Sequence, residues 1–298
     1  MGLPAETIEQ SDDLLEVAAV LAIQRQLTIK LVHTVHRVRH VDEGADLYIE
    51  QNLQSARRLL QAAANRLTSK IGYSAKIETA TSTLPPADAL LDEARTASLL
   101  LVHRRGLSRS NRILHGSISA TVAAQAPCPV MVIPPFRDVP PADLPVVVGV
   151  SPAATSDAAV GLAFAESSWR RVPLLAVHAW NVPGGWSTYG WDALNETDVQ
   201  ELRMAAVIGL AEAMSGHTER YPDVEVHRRI VLGPVLDALV DHAARAQLLV
   251  TGRQNHTHRT GIGSTTRRLF DAAVCPIVVV PQRAVSPGRQ GRDLAAAR

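Results

Sequence analysis

The stretch AVCPIVVVPQ at residues 273–282 decides the fold, because the chain contains a near copy of it, APCPVMVIPP, at residues 126–135. Each copy holds a Cys-Pro pair, four apolar residues of strand type and a further proline. Such a run is typical of a strand that is buried on both faces of a sheet. Since the copies lie 147 residues apart, the pattern predicts two complete domains and not an array of short repeats.

Other residue pairs extend the repeat toward the N-terminus. Gly116-Ser117 matches Gly263-Ser264, again at 147 residues, and His33 matches His178 at 145 residues. The repeat therefore covers loops as well as strands, which favours two copies of one domain.

Within the second copy, strand-like runs alternate with segments of helical periodicity. The strand-like runs are LPVVVGV, VPLLAVHAW, VEVHRRIVL, QLLVTG and PIVVVP. This alternation predicts an α/β fold of two similar open, doubly wound five-stranded parallel-sheet domains. We expect the domains to span residues 1–140 and 141–282, followed by a disordered tail at 283–298 that is rich in Arg, contains Pro and Gly, and has no apolar periodicity.

The first copy lacks the first strand of this plan. Residues 146–150 correspond to residues 1–5, MGLPA, and these five residues do not form a strand-like apolar run. A first domain without this central strand would expose two sheet edges inside its core. Either the true start lies upstream, which the abrupt beginning favours, or residues 3–9 fill the gap imperfectly.

Composition and charge exclude several classes of function. The net charge is +1, and residues 1–140 carry 15 basic and 14 acidic side chains, so no basic field indicates nucleic-acid binding. Two cysteines argue against a disulfide framework. No signal peptide and no apolar run of about 20 residues is present, which predicts a soluble cytoplasmic protein without a membrane partner.

A loop of the second copy, VTGRQNHTHRTGIGST at residues 250–265, has the layout of a phosphate cradle. It follows an apolar strand, is basic, and reaches Gly-Ser just before a predicted helix. The N-terminus of a helix offers free N–H groups and a partial positive charge, and a Ser hydroxyl adds a donor.

The repeat, the order of strands and helices, and this loop together resemble the universal stress protein family in its tandem two-domain actinobacterial type. The resemblance covers about residues 11–282 and implies an adenine nucleotide alpha hydrolase-like fold. Nucleotide-binding members of that family carry Gly-x2-Gly-x9-Gly-Ser/Thr between the fourth strand and the fourth helix. They also carry an Asp at the end of the first strand that meets the adenosine.

The second copy departs from that family pattern at three points. Gly252 fills the first Gly, but Asn255 replaces the second, and only seven residues, 256–262, precede Gly263-Ser264. Ser151 stands where the acidic residue is expected. Asn tolerates a left-handed conformation, so that substitution is mild, whereas the shorter loop changes how far the backbone can reach.

In the first copy the spacing is intact, since nine residues separate Gly106 from Gly116-Ser117, but His103 replaces the first Gly. The nucleotide-binding residues that the resemblance implies are Ser151, Gly252, Asn255, Gly263, Ser264 and Thr265 in the second domain and Gly106, Gly116, Ser117 and Ser119 in the first. An equally physical interpretation is that Ser117 and Ser264 only cap their helices.

Losing the Asp removes a charge-assisted hydrogen bond of about 1.5–3 kcal/mol, which lowers affinity roughly tenfold to a hundredfold. We therefore expect ATP binding to be weakened or lost in the second domain. For the first domain, retained and lost binding stay equally open.

The remaining polar candidates indicate no catalytic or metal chemistry. Arg104 and Arg253 belong to loops whose arginines either contact phosphate or are simply solvated. His256-x-His258 has no acidic or cysteine neighbour, so we predict no metal site. We interpret Cys128 and Cys275 as small buried hydrophobic residues.

The sequence contains no nucleophile, base and orienting group in a recognisable spacing. We therefore expect a non-catalytic stress-response regulator with degenerate ATP-binding clefts. The alternatives are a competent ATP-binding switch that changes partner binding, and a slow ATPase. The segment 181–191, NVPGGWSTYGW, either packs on its own domain or forms a lid or partner surface.

The resemblance also implies how the domains assemble through the last strand of each copy. In the family this strand often pairs with its counterpart in a dimer. A tandem chain can pair VMVI of the first copy with IVVV of the second, which makes an internal pseudo-dimer. A homodimer of the whole chain is a further alternative, and the protein partners stay unknown.

Overall fold

The computed structural model describes residues 12–35, 45–72, 74–104, 118–135, 141, 143–151, 157–180, 196–253 and 263–282 of the chain. The elements of the first repeat are α1 (Asp12–Arg25), β1 (Ile29–Thr34), α2 (Ala45–Ile71), β2 (Ile77–Ser82), α3 (Pro86–Glu93), β3 (Leu100–His103), α4 (Ile118–Gln125) and β4 (Val130–Ile133). The elements of the second are β5 (Val146–Gly149), α5 (Asp157–Arg170), β6 (Leu174–Trp180), α6 (Glu196–Arg220), β7 (Val226–Leu232), α7 (Val235–Ala243), β8 (Leu248–Gly252), α8 (Ser264–Ala272) and β9 (Ile277–Val280).

The second repeat forms the predicted five-stranded parallel sheet. Its strands lie in the order β9-β8-β5-β6-β7, and every neighbouring pair among them is parallel. The chain leaves β5 toward β6 on one side and leaves β8 toward β9 on the other. The point where the strand order reverses is therefore between β5 and β8, which is where sheets of this kind bind ligands.

The last strands of the two repeats pair with each other, as the sequence predicted. β4 and β9 are antiparallel, and Met131 lies opposite Val278, which is its own counterpart 147 residues later. All four residues of each strand are buried. The pairing joins β3 and β4 to the five strands of the second repeat in one seven-stranded sheet with an internal pseudo-twofold axis.

The sheet of the first repeat is interrupted where the missing strand would lie. β1 and β2 form a separate two-stranded parallel sheet, while β3 and β4 belong to the seven-stranded one. In the second repeat, β5 occupies the position between the equivalent strands β8 and β6. No strand of the described residues fills that position in the first repeat, and residues 1–11 lie outside them.

Helices cover both faces of the sheet, and each face has one apolar core that includes both repeats. One core joins α1, α2, α5 and α6, with Leu14, Leu60, Phe164 and Leu210 among its buried members. The other joins α3, α4, α7 and α8. Because both repeats contribute to both cores, burial of apolar surface holds the two domains together.

The two cysteines occupy equivalent places in the second core. Cys128 and Cys275 are each 2% exposed, and both are free thiols. This agrees with their interpretation as small buried hydrophobic residues.

Among the described residues, no helix combines the length and the apolar character needed to cross a lipid bilayer.

Candidate functional site

Two residues of the predicted nucleotide site lie at the reversal point of the sheet. Ser151 follows the end of β5, and Gly252 is the last residue of β8. The two strands are parallel neighbours, with Gly149 paired to Thr251. Since carboxyl ends of parallel strands meet at one edge, the fold brings Ser151 and Gly252 to the same edge of the sheet.

A histidine fixes the strand end that carries Ser151. The Nδ1 atom of His178 in β6 donates a hydrogen bond to the carbonyl oxygen of Val150 at 2.9 Å. The Val150 N–H in turn donates to the carbonyl of Val177, also at 2.9 Å. His178 therefore has a positioning role beside the site. Ser151 itself is half-buried.

The third part of the site is the start of α8. Gly263 is the N-cap residue, with φ −57° and ψ 151°, and no side chain caps the helix. Ser264 is the first helical residue and is exposed, so the interpretation of Ser264 as a helix cap is wrong. The first helical hydrogen bond runs from the Arg267 N–H to the Gly263 carbonyl at 3.0 Å. The amide groups of residues 264–266 precede it, and such groups suit an anion.

The side chains of this first turn differ in accessibility. Thr265 is half-buried, while Thr266 is 7% exposed and faces the core. Ser119 in the first turn of α4 is the counterpart of Thr266 and is 5% exposed. Ser119 is therefore buried in the first turn of α4, and its predicted nucleotide contact stays a prediction.

In the first repeat the equivalent strand end has a different chemistry. His103 ends β3 in the place that Gly252 has in β8, and its Nε2 atom lies 4.0 Å from the Asp13 carboxylate of α1. An imidazole and a carboxylate thus occupy the edge where the family pattern has a glycine.

Several predicted residues lie outside the described residues. These are Asn255, Gly106, Gly116, Ser117, His256, His258, the segment 181–195 and the tail 283–298. Their predictions stay predictions.

Two arginines for which the sequence left phosphate and solvent as alternatives are hydrogen-bonded to backbone carbonyls. Arg104 and Arg253 follow β3 and β8 directly, and each reaches into the other repeat. Nη1 of Arg253 donates to the carbonyl oxygen of Ala126, just past α4, at 2.8 Å. Nη1 of Arg104 donates to the carbonyls of Phe270 and, at 3.1 Å, Ala273 at the end of α8.

This pair of contacts is reciprocal, because Ala126 and Ala273 are counterparts 147 residues apart. Cations at the C-terminal end of a helix satisfy its last carbonyls and its partial negative charge. Burial lowers the pKa of both guanidinium groups, and the Asp271 carboxylate opposes this effect at Arg104. In the sequence, each arginine directly follows a strand of buried type, but this position alone does not identify the carbonyl that the arginine binds.

Among the described residues, no group of three His, Cys, Asp or Glu side chains is placed to hold a metal ion. An open cavity of about 880 Å³ lies at the opposite edge of the second sheet. Its floor includes Pro145 and Pro173, which precede β5 and β6, and the end of α7 forms one wall. The cavity is therefore separate from the edge that carries Ser151 and Gly252.

Known proteins similar to this chain share the double repeat. The model of the universal stress protein family matches residues 2–134 and again residues 144–281. A universal stress protein of Mycolicibacterium smegmatis is 30% identical over 285 residues, which is 92% of this chain and 94% of that protein. One of Mycobacterium tuberculosis is 34% identical over 201 residues, or 66% of each chain.

The fold also has a relative among solved structures. A universal stress protein from Archaeoglobus fulgidus aligns with a TM-score of 0.67 at 19% identity, and the alignment covers 95% of this chain and 98% of that one. At this identity the likeness shows the shared fold alone.

Proposed function

Because the chain belongs to the universal stress protein family, with two copies of the family's domain, we propose that it is a non-catalytic stress-response regulator whose ATP-binding clefts are degenerate. The observation that carries the proposal is that Ser151 and Gly252 lie at the carboxyl ends of the neighbouring parallel strands β5 and β8, at the reversal point of the sheet, where the chain goes on to the start of α8. The predicted site therefore lies where sheets of this kind bind ligands, but Ser151 replaces the acidic residue that the family pattern has there.

What the site retains is a set of neutral hydrogen-bond donors. The amides at the start of α8 and the Ser264 hydroxyl suit a phosphate group. Ser151 offers a hydroxyl in place of a carboxylate, so it can form only an uncharged hydrogen bond with a ribose. An uncharged bond contributes about 1 kcal/mol, compared with about 1.5–3 kcal/mol for a charged one.

The arginines next to the site do not compensate for this loss. Arg253 would be the nearest cation along the chain, but its guanidinium group is bonded to the Ala126 carbonyl. Moving it onto a phosphate would leave that carbonyl without its donor, at a cost of about 1–3 kcal/mol. A site of micromolar affinity would thus bind ATP only in the near-millimolar range.

The first domain supports the same conclusion more strongly. It has no described strand in the position of β5, and His103 replaces the small residue at the end of β3. A side chain at that point occupies space next to the backbone that a ligand would approach.

Calorimetric titration of the purified full chain with ATP tests this proposal. Protein extracted with acid is first checked for copurified adenine nucleotide. We expect no copurified nucleotide and no saturable heat below millimolar ATP. Micromolar binding would overturn degeneracy and support the ATP-dependent switch instead.

The enzyme alternative needs its own control. ATP hydrolysis that survives stringent purification and disappears in Ser264→Pro, but not in the matched exposed variant Ser215→Ala on α6, would support a slow ATPase and contradict the non-catalytic role. Proline at the first helical position preserves the helix and removes one amide donor and one hydroxyl.

A further inference from the structure

The outward face of α6 carries an apolar stripe. Met204, Val207 and Ile208 are 59%, 43% and 50% exposed, and Ala211 next to them is also exposed. These positions follow the spacing i, i+3, i+4 and i+7, so they lie on one face of the helix. The residues that pack on the sheet, such as Leu210, lie on another face.

The first repeat provides an internal comparison for this stripe. The buried residues Ala56 and Leu60 of α2 have counterparts in Ala206 and Leu210 of α6, 150 residues later. At the same offset, the counterparts of Met204, Val207, Ile208 and Ala211 are Gln54, Arg57, Arg58 and Gln61, all exposed. The same fold position is therefore polar in one repeat and apolar in the other, so packing of the domain does not require the apolar residues.

An acidic row runs along one side of the stripe. Glu201, Glu212 and Glu219 are exposed and lie 11 and 7 residues apart, which is about three turns and two turns of helix. They therefore form a line nearly parallel to the helix axis. None of them forms an ion pair with another described residue. Their counterparts on α2 are Gln51, Ala62 and Ser69, so the acidic row is also specific to the second repeat.

We propose that the α6 face, formed by the apolar stripe (Met204, Val207, Ile208 and Ala211) and the acidic row (Glu201, Glu212 and Glu219), docks a partner protein through an amphipathic helix whose apolar side is bordered by Lys or Arg. The stripe supplies apolar burial, and the acidic row selects a basic partner and its orientation. The apolar stripe spans about two helical turns and the acidic row about five, so a single partner helix covers the face and the complex is of the transient class.

The acidic row disfavours a second copy of this chain as the partner that docks on the α6 face. A twofold axis that pairs two α6 helices antiparallel keeps the same side of each helix together. The acidic rows would then meet, with Glu201 close to Glu212 of the partner copy's helix, and like charges repel. A basic partner helix has no such repulsion.

The probe is a synthetic helical peptide with a leucine stripe bordered by lysines, labelled for fluorescence anisotropy and titrated with the full chain. A matched peptide has the same stripe bordered by glutamates. We expect the lysine peptide to bind at least tenfold more tightly than the glutamate peptide, with a difference that shrinks as salt rises. Equal affinities, or no binding of either peptide, would overturn the proposal.

Two variants locate the binding. The first variant gives α6 the polar residues that α2 has at the equivalent positions, by Met204→Gln, Val207→Arg and Ile208→Arg. We expect it to bind the lysine peptide at least tenfold more weakly. Glu201→Gln with Glu212→Gln and Glu219→Gln should keep the fold and remove most of the preference for lysine. The matched control, Arg57→Gln with Arg58→Gln on α2, should leave binding unchanged.

Sedimentation of the free chain distinguishes the other occupants. If the chain dimerises and the apolar variant is monomeric, a second copy covers the face and the proposal fails. If neither peptide binds until residues 181–195 are deleted, this segment of the same chain covers the face, and the proposal fails in that case too.

Discussion

The Arg25 guanidinium of α1 is hydrogen-bonded to the Glu166 carboxylate of α5, so the first repeat contacts a buried charge in the second. Glu166 is 1% exposed, and its other oxygen accepts a hydrogen bond from Nε of Arg170 at 3.2 Å. Arg25 and Arg170 are counterparts 145 residues apart. One carboxylate therefore binds the same arginine from both repeats, and the Arg25 guanidinium also stacks 4.2 Å from the Trp169 ring.

Replacing Glu166 by Leu should lower the free energy of unfolding by about 3–5 kcal/mol, because it leaves a buried guanidinium without its counter-charge. Urea denaturation followed by tryptophan fluorescence measures the change, since all four tryptophans lie in the second domain. Burial lowers the pKa of Arg25, and the Glu166 carboxylate opposes that effect. The carboxylate therefore stabilises the charged form of the buried guanidinium.

The double variant Arg25→Met with Glu166→Leu is the control for this ion pair. It should recover most of the lost stability, because Arg170 keeps a hydrogen bond to Gln247 at 3.2 Å. A double variant as unstable as Glu166→Leu would show that shape, and not charge, determines this contact.

The reciprocal arginines make a second prediction about the joint between the domains. Arg104→Met and Arg253→Met should each lower the free energy of unfolding by about 1–3 kcal/mol, because each leaves carbonyls at the end of a helix without a donor. The exposed arginine Arg267 on α8 is the matched control, and Arg267→Met should change stability by less than about 0.5 kcal/mol. Urea midpoints measure all three. Equal effects at Arg253 and Arg267 would contradict the cross-domain contact.

Cys275 predicts how stability depends on alkaline pH. Burial raises the pKa of its thiol from 9.0 to about 12, so the thiol stays protonated in the folded chain while it ionises in the unfolded chain. Its contribution to stability is complete below pH 9 and is lost as pH rises toward 12. At pH 10 the loss should be about 1.4 kcal/mol.

The measurement compares wild type with Cys275→Ala in urea under reducing conditions at pH 8 and pH 10. All other titratable groups are the same in both proteins, so only the difference between the two proteins reports Cys275. An identical fall in stability between the two pH values in both proteins would refute the assignment.

Local sequence patterns predicted the sheet, and the family resemblance predicted the joint between the two repeats. The runs VMVI and IVVV are apolar at every position, which is typical of strands buried on both faces, and their pairing was implied by the family resemblance. The described residues of the first repeat contain no counterpart of β5, and subtracting the repeat length from the position of β5 had predicted this gap. The capping residue of α8 is Gly263 and not Ser264, because both residues suit an N-cap and the backbone alone decides between them.

The contacts across the joint could not be predicted, because they depend on which carbonyls meet which side chains. Arg253 and Ala126 lie 127 residues apart in the chain, and no periodicity relates them. Glu166 did leave a signal. It follows Ala159 and Ala163 at helical spacing on the buried face of α5, and a carboxylate there requires a cation.

The remaining prediction concerns the serine at the end of β5 and rests on the proposed function. Ser151→Asp should raise ATP affinity about tenfold to a hundredfold, because it adds a charged hydrogen bond of about 1.5–3 kcal/mol at the reversal point of the sheet. Calorimetry on the full chain measures the change, and the neutral variant Ser151→Asn is the matched control for side-chain size. An aspartate that binds ATP no better than asparagine would mean that the short loop, and not the missing carboxylate, limits binding. A complete absence of ATP binding in all three proteins would remove nucleotide from the account of this domain.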